Sequence, residues 1–191
     1  MKESLTLLLI GRSGSGKGTQ AKLLKERFNF DFLVSTGSKF REEVSKNTFV
    51  AKEIKKILEN GDLAPAWMSS FMWERFLIED IITNNEKVIF DGIGRRVEEA
   101  HHLDEVMKFF NRKIVPVHIE VDREEAVKRL KSRGRSDDND DDIKRRMDWF
   151  ESEVSKTLDY YKKQERLIEI NGMLSIEGVY QDMVKKLELN K

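Results

Sequence analysis

The chain has 191 residues, with 35 basic and 35 acidic side chains and no cysteine. This length suits one domain with a sizeable hydrophobic core. A net charge of zero argues against a general nucleic-acid or membrane-surface partner, because such binders carry a basic surplus. Without cysteine the chain has no disulfide, no thiolate nucleophile and no Cys-ligated zinc. The apolar run 5–10 is too short for a secretory signal or a membrane span, so we expect a cytoplasmic protein.

Short apolar runs alternate with helical patterns along the chain. The runs predict strands at 5–10, 30–34, 88–90, 114–121 and 167–170. Helical spacing predicts helices through Ala21–Phe28 and over 39–60, 68–82, 97–110, 137–146 and 175–187. Strands of this length separated by helices predict an α/β domain with a parallel sheet covered on both faces. Pro116 is unfavourable inside the fourth strand, since proline donates no ladder hydrogen bond.

A glycine-rich loop follows the first predicted strand and opens the first helix. Residues 11–19 read Gly-Arg-Ser-Gly-Ser-Gly-Lys-Gly-Thr, which matches the spacing G-x-x-x-x-G-K. Glycines allow the backbone N–H groups to surround a phosphate, and the helix N-terminus adds a favourable partial charge. The loop therefore predicts a site for a nucleoside polyphosphate, with Lys17 at the β- and γ-phosphates. The predicted donor-site residues within it are Gly14, Ser15, Gly16, Lys17, Gly18 and Thr19.

Several segments, in the same order along the chain, resemble the nucleoside monophosphate kinases, and especially the adenylate kinases. They are Gly-Lys-Gly-Thr-Gln at 16–20, Ser-Thr-Gly-Ser-Lys-Phe-Arg at 35–41, Gly-Asp-Leu-Ala-Pro at 61–65, Phe-Asp-Gly-Ile-Gly-Arg at 90–95, and Arg-Gly-Arg-Ser-Asp-Asp at 133–138 with Arg146. The similarity covers nearly the whole chain. It implies a P-loop core with five parallel strands, a helical monophosphate-binding insert at about 36–66 and a short lid at about 130–140, all in one domain.

The resemblance also implies a reaction, the Mg²⁺-dependent transfer of the ATP γ-phosphoryl group to a monophosphate, with AMP the first expectation. Carried over residue by residue, it assigns catalysis to Lys17, Arg95, Arg135 and Arg146. Arg129 and Arg133 join the ATP site, and Asp91 would hold Mg²⁺ through water with Thr19 as a further ligand. The acceptor nucleotide would contact Thr36, Arg41, Ala64, Gly92, Arg95 and Glu99.

Glu99 is a departure from the family pattern, which has an adenine-reading glutamine at this position. A carboxylate only accepts hydrogen bonds, so it suits the N–H donors of guanine better than adenine N1. GMP, and then UMP or CMP, therefore remain alternatives, as does a position for Glu99 on a solvent-facing helix side. A nucleotide-binding module without activity is a further alternative, although the retained cations disfavour it.

The lid is short, because only Gly134 separates Arg133 from Arg135, and it has no room for a zinc-bearing insert. Surface ion pairing is the alternative for each arginine, most of all for Arg129. We expect the aspartates of 137–146 to face water, and the aromatic residues Trp67, Phe71 and Trp73 to belong to the core. No exposed apolar stripe is evident, so we expect a monomer without nucleic-acid or membrane partners.

Overall fold

The protein is organised around a five-stranded parallel β-sheet, in a computed structural model that describes residues 4–60, 62, 64–134 and 138–188. The strand order is β2-β3-β1-β4-β5, and each neighbouring pair is parallel. The strands are β1 (Thr6–Ile10), β2 (Phe32–Ser35), β3 (Val88–Asp91), β4 (Ile114–Glu120) and β5 (Ile168–Asn171). The predicted α/β class with a parallel sheet is confirmed.

Helices connect successive strands. Their bounds are α1 (Lys17–Phe28), α2 (Thr36–Val44), α3 (Phe49–Glu59), α4 (Ala66–Glu79), α5 (Val97–Phe109), α6 (Arg123–Arg133), α7 (Asp140–Trp149), α8 (Ser155–Lys163) and α9 (Ile176–Lys186). A π-helical turn (Phe150–Val154) joins α7 to α8 without a loop. Among the described residues, none of these helices is both long and apolar enough to cross a bilayer.

The hydrophobic core lies on both faces of the sheet, as the uninterrupted apolar run of β1 predicts. Side chains of a strand alternate between faces, so Leu8 joins a cluster with Trp73 and Tyr161, whereas Leu7 joins one with Leu24 and Met183. All five residues of β1 are buried. Burial on both sides explains why this strand reads as continuous leucine and isoleucine rather than as an alternating pattern.

Pro116 fits within β4 because of where the neighbouring strand begins. It is paired with Leu8 of β1 on one side, while β5 pairs only with Val117–Glu120. The proline therefore lies before the part of β4 that is hydrogen-bonded on both sides, which is where a missing donor is tolerated.

The helix predicted over 39–60 is wrong in its continuity and its start. Two helices occupy the region, since α2 begins directly after β2 and the polar residues 45–48 separate it from α3. Thr48 begins α3, because its hydroxyl accepts a hydrogen bond from Ala51 N–H at 3.1 Å. Gly61, a residue type that commonly ends a helix and that follows the predicted segment, lies outside the described residues.

The aromatic group on α4 is only partly a core feature. Trp73 is buried, as expected, but Trp67 and Phe71 are 64% and 52% exposed. The helix ends at Glu79 rather than at Ile82, and Ile78 and Ile82 are also exposed. The predicted core position of Trp67 and Phe71 is therefore wrong, and so is the expectation that no exposed apolar stripe exists.

Candidate active site

The glycine-rich loop lies at the carboxyl end of β1 and opens α1, as predicted. Gly14 and Gly16 have φ values of 85° and 91°, a left-handed conformation that favours glycine. A Cβ atom on Gly14 would lie 2.5 Å from the carbonyl oxygen of Ala126 on α6. The loop is therefore held in shape by close backbone packing that no larger residue would permit.

Lys17 closes this loop on itself. Its Nζ atom donates hydrogen bonds to the carbonyl oxygens of Gly11 at 2.7 Å and Arg12 at 2.8 Å. Burial lowers the pKa of Lys17 to about 8, because desolvation penalises the ammonium form, while the nearby carboxylate of Asp91 acts in the opposite direction. The lysine is thus a cation at neutral pH whose charge is poorly solvated by the protein alone.

A large open cavity of about 1420 Å³ begins at this loop. It extends between α2, the start of α5, and the helices α6 and α7. Every predicted site residue within the described chain lines it: Gly14, Ser15, Gly16, Lys17, Gly18, Thr19, Thr36, Arg41, Ala64, Asp91, Gly92, Arg95, Glu99, Arg129, Arg133 and Arg146. Arg135, also predicted, lies outside the described residues.

Arg95 is an enclosed cation of the cavity, and its surroundings hold it on several sides. Its carbonyl oxygen accepts a hydrogen bond from the Thr157 hydroxyl of α8 at 3.1 Å. Gly92 has a φ of 79°, and a Cβ atom there would lie 2.6 Å from Arg95 Nη2. The Gly92 carbonyl in turn accepts from the Thr36 hydroxyl at 2.8 Å, which ties the first residue of α2 to the end of β3. Burial lowers the pKa of Arg95, against the opposing charges of Asp91 and Glu99.

Glu99 is buried, with an exposed fraction of 5%, so the solvent-facing alternative is wrong. Its Oε2 atom accepts from the backbone N–H of Arg95 at 3.1 Å, and its Oε1 atom accepts from Arg96 Nη1 at 3.0 Å. The carboxylate sits three residues after Arg96, the N-cap of α5, where acidic side chains commonly bond to nearby backbone donors.

Arg96 also lines the cavity and is absent from the residues predicted for the site. Its neighbour Arg95 ends a recognisable motif, whereas Arg96 lies just outside that motif. The spacing of Arg96 and Glu99, three apart at the start of a helix, was the available signal.

Arg133 and Arg146 share the carboxylate of one aspartate. The Asp138 side chain is 1% exposed and accepts from Arg133 Nη2 at 2.6 Å and from Arg146 Nη1 at 3.2 Å. Asp142 is also buried, and it contacts Arg145 and the N–H of Asn139 Nδ2. The expectation that the aspartates of this run face water is therefore wrong for these two, because each neutralises a cation inside the fold.

Arg129 forms an ion pair with Glu125 one turn earlier on α6, at 2.8 Å, while its side chain still borders the cavity. The predicted helix over 137–146 begins later, at Asp140, and its N-cap is Asn139, whose side chain accepts from Asp142 N–H. Asp137 lies outside the described residues.

Asp91, at the end of β3, places its carboxylate beside the start of α1 and the phosphate loop. A side chain at Gly18 would begin 4.0 Å from Asp91 Oδ2, and the charge of Asp91 acts on Lys17. Within the described parts of the chain, no group of three or more His, Asp or Glu residues is arranged to hold a metal ion. A single carboxylate beside a phosphate loop suits Mg²⁺ that is bound mainly through phosphate and water.

Comparison with known proteins identifies the family. The family model described as adenylate kinase matches residues 9–166, a span that contains every residue predicted for the site. The chain belongs to the adenylate kinase family. It is therefore a phosphotransferase acting on nucleotides, and the predicted family and activity are confirmed.

Full-length relatives agree with this membership. An adenylate kinase from Leptospira biflexa is 36% identical, over 95% of this chain and 98% of its own length. An adenylate kinase from Azobacteroides pseudotrichonymphae is 33% identical over 96% of this chain and 97% of its own. An adenylate kinase from Bacteroides fragilis is 32% identical over 96% and 98%. Each match covers nearly the whole length of both proteins. The sequence similarity therefore extends beyond the phosphate loop to the other segments that line the cavity.

Proposed function

We propose that this chain catalyses the reversible transfer of the γ-phosphoryl group of ATP to AMP, giving two molecules of ADP. In the forward direction, an oxygen of the AMP phosphate forms a bond to the γ-phosphorus as the bond to the β-phosphate bridging oxygen breaks. The observation that carries the proposal is the single cavity in which Lys17 at the phosphate loop and Arg95 at the end of β3 face the same space.

The donor nucleotide lies along the glycine-rich loop in this proposal. The loop from Gly14 to Thr19 surrounds the phosphates with backbone N–H groups, and the N-terminus of α1 favours their negative charge. Lys17 exchanges its hydrogen bonds to the Gly11 and Arg12 carbonyls for bonds to phosphate oxygens. Arg133 joins the donor phosphates, and Arg129 lies near the donor base.

The acceptor monophosphate lies between α2 and the start of α5. Arg41 and Arg95 bind its phosphate, and Thr36, Ala64, Gly92 and Glu99 complete the subsite. Arg135 and Arg146 contact both phosphoryl groups. Phosphoryl transfer needs alignment and dispersal of charge more than covalent chemistry by the protein, and converging arginines supply both.

Magnesium accompanies ATP in this proposal, with Asp91 holding it through water and Thr19 as a further ligand. When bound, it neutralises charge on the β- and γ-phosphates. Zinc has no place in the proposal, since the chain has no cysteine and the lid is short.

The proposed organisation is one domain, 1–191, with two parts that move over the core. The acceptor insert, about 36–66, contributes Phe40 and Ile54 to a small apolar cluster that Met68 of α4 completes. The lid, about 130–140, adjoins a second small cluster that includes Leu130 and Met147. Separate packing of this kind suits closure that excludes water during transfer. We propose a cytoplasmic monomer, with nucleotides as its partners.

A coupled assay tests the activity directly. Purified protein is mixed with ATP, Mg²⁺ and AMP, GMP, UMP or CMP in turn, and formation of diphosphate is followed. We expect AMP to give the highest kcat/KM. Lys17→Met, which keeps most of the side-chain volume, should lower kcat by at least a hundredfold, the usual order for a lost charge contact in the transition state. Absence of turnover with all four monophosphates would refute the proposal.

GMP is the second candidate acceptor, and the observation that favours it is the buried carboxylate of Glu99 in the acceptor subsite. The same assay separates the two, because a higher kcat/KM with GMP than with AMP would replace AMP as the substrate.

A further inference from the structure

On the acceptor side of the cavity, Arg96 and Glu99 form an ion pair. The predicted site includes Glu99 but not Arg96. Arg96 Nη1 donates to Glu99 Oε1 at 3.0 Å and lies 3.5 Å from the carbonyl oxygen of Ala64. The guanidinium carbon is 5.7 Å from the centre of the Trp149 ring. All four residues line the same cavity, so the pair borders the space available to the acceptor nucleotide.

The two side chains have opposite hydrogen-bonding abilities. The Glu99 carboxylate accepts only, whereas the guanidinium of Arg96 donates only and has five N–H groups. The Arg96 contacts found within residues 4–60, 62, 64–134 and 138–188 use Nη1 alone, which leaves Nε and Nη2 as donors toward a ligand. Glu99 uses one contact per oxygen, and a carboxylate has about four acceptor sites.

A donor beside an acceptor is what the Watson–Crick edge of adenine requires. Its 6-amino group donates, and the neighbouring N1 accepts. A glutamine side chain offers both functions in one amide. A lone carboxylate offers only the acceptor, but Arg96 stands next to Glu99 and supplies the missing donor.

We propose that Arg96 and Glu99 together read the base of the acceptor nucleotide, with Arg96 as the specificity-determining residue for adenine N1. Glu99 accepts from the 6-amino group, and Arg96 donates to N1. This inference rests on the proposed function, since it names the residues that select AMP in the same site.

The position of Arg96 supports contact with a ligand rather than a purely structural bond. Its side chain is 28% exposed although Glu99 beside it is 5% exposed. It also links two parts of the fold, because Ala64 belongs to the acceptor insert and Glu99 to α5. A base placed between these parts would meet the guanidinium before it reached the carboxylate's remaining acceptor sites.

An analogue series tests the inference. The affinities of AMP and of 1-deaza-AMP, in which a C–H group replaces N1, are measured by calorimetry for the unaltered chain and for Arg96→Met. We expect the unaltered chain to bind 1-deaza-AMP roughly 10- to 100-fold more weakly than AMP, the size of one charge-assisted hydrogen bond. Arg96→Met should bind the two equally, at about the lower affinity, while its KM for ATP stays the same.

Arg75→Met is the matched control, because Arg75 forms a comparable ion pair with Glu79 on the outside of α4 and does not line the cavity. It should retain the full preference for AMP. Equal binding of AMP and 1-deaza-AMP by the unaltered chain would overturn the inference, as would an Arg96→Met variant that still discriminates between them.

The proposed reaction and the proposed reading of the base are refuted by different results. Absence of turnover with AMP in the coupled assay refutes the proposed reaction, whereas the binding measurement examines base reading without catalysis. The comparison of analogues in the unaltered chain needs no variant, so it tests the binding of N1 independently of how Arg96→Met folds, and the variant then assigns that contact to Arg96.

Discussion

Several cations that the proposed function assigns to nucleotide phosphates already have partners within the protein. Lys17 bonds to the carbonyls of its own loop, and Arg133 and Arg146 share the carboxylate of Asp138. Each cation thus has a protein partner that phosphate can replace. The free-energy cost of desolvating the cations is therefore divided between folding and ligand binding, because the charges are already enclosed before the ligand binds.

The titration of Lys17 predicts that kcat/KM for ATP falls at alkaline pH. Because burial lowers the pKa of Lys17 to about 8, the lysine is protonated below that pH and neutral above it. We expect kcat/KM for ATP to fall to about half its maximum near pH 8 and to fall about tenfold per pH unit above about pH 9, since this quantity reports the unliganded enzyme. A pH series of initial rates measures it.

Lys17→Arg is the control for this limit, because an arginine keeps its charge over the same range. Its activity should be lower at every pH, but without the fall above pH 8. A variant with the same alkaline fall would assign the titration to another group.

The close approach of Gly92 to Arg95 gives a second residue-scale prediction. Gly92→Ala should cost about 1–2 kcal/mol of unfolding free energy for its left-handed backbone, and its methyl group should displace Arg95 Nη2, which lies 2.6 Å from that position. We expect a rise of at least tenfold in KM for AMP. Urea unfolding and steady-state kinetics measure the two effects.

Gly134→Ala separates strain from displacement. Gly134 has a φ of 64°, and among the described residues beyond its chain neighbours no atom lies within 4 Å of the added carbon. It should therefore lose a similar unfolding free energy while the KM for AMP stays within about twofold. Equal KM values for the two variants would contradict the role given to the Gly92 contact.

At the scale of elements, the order of strands and helices could be predicted, but several helix ends and faces could not. The strands could be predicted because apolar runs of this length indicate burial on both faces of a sheet. The break between α2 and α3 was missed because apolar spacing continues across it, and only the polar residues before the Thr48 cap mark the interruption. For Phe71, spacing alone does not tell which side of an aromatic-rich helix meets the core.

The candidate site divides in the same way. Positions such as Lys17, Thr36 and Asp91 could be placed in one cavity because each ends a strand or opens a helix, whereas Arg41, Arg129 and Arg146 lie within helices and depend on the motif alone. The partners of the charges could not be predicted, since Asp138 and Glu99 are buried by contacts with arginines, and long-range pairing leaves no local pattern.

The cap at Thr48 yields a prediction for α3. Thr48→Ala removes the acceptor for Ala51 N–H and should lower the unfolding free energy by about 1 kcal/mol. Urea unfolding followed by circular dichroism measures the change. Thr48→Ser keeps the hydroxyl and should lose less than half as much; equal losses would show that the methyl group, and not the cap, is responsible.

For the molecule as a whole, the sheet is covered on both faces while apolar side chains also remain outside. Leu77 is 1% exposed, and the next residue, Ile78, is 75% exposed. The adjacent pair separates core from surface without changing helix or distance from the cavity.

We expect Leu77→Ala to lower the unfolding free energy by about 2–5 kcal/mol, because it leaves a cavity in the core. Ile78→Ala should change it by no more than about 0.5 kcal/mol, as is usual for surface substitutions. Thermal and urea unfolding measure both. A loss of more than 2 kcal/mol in Ile78→Ala would mean that this surface is covered in solution.

Together, α7, the π-helical turn and α8 form one continuous helical rod. The turn sets the angle about the rod axis between residues before it and residues after it. Arg146 stands on the rod before the turn, and Thr157, which holds the Arg95 carbonyl, stands after it. An α-helix advances about 100° per residue, and a π-turn accommodates one residue more than regular winding would. Deleting one residue from 150–154 would remove the extra residue and leave Thr157 at about the same angle to Arg146, whereas regular α-helical winding of all five residues would rotate Thr157 by about 100°. The extra residue of this turn therefore sets the placement of Arg146 relative to Arg95.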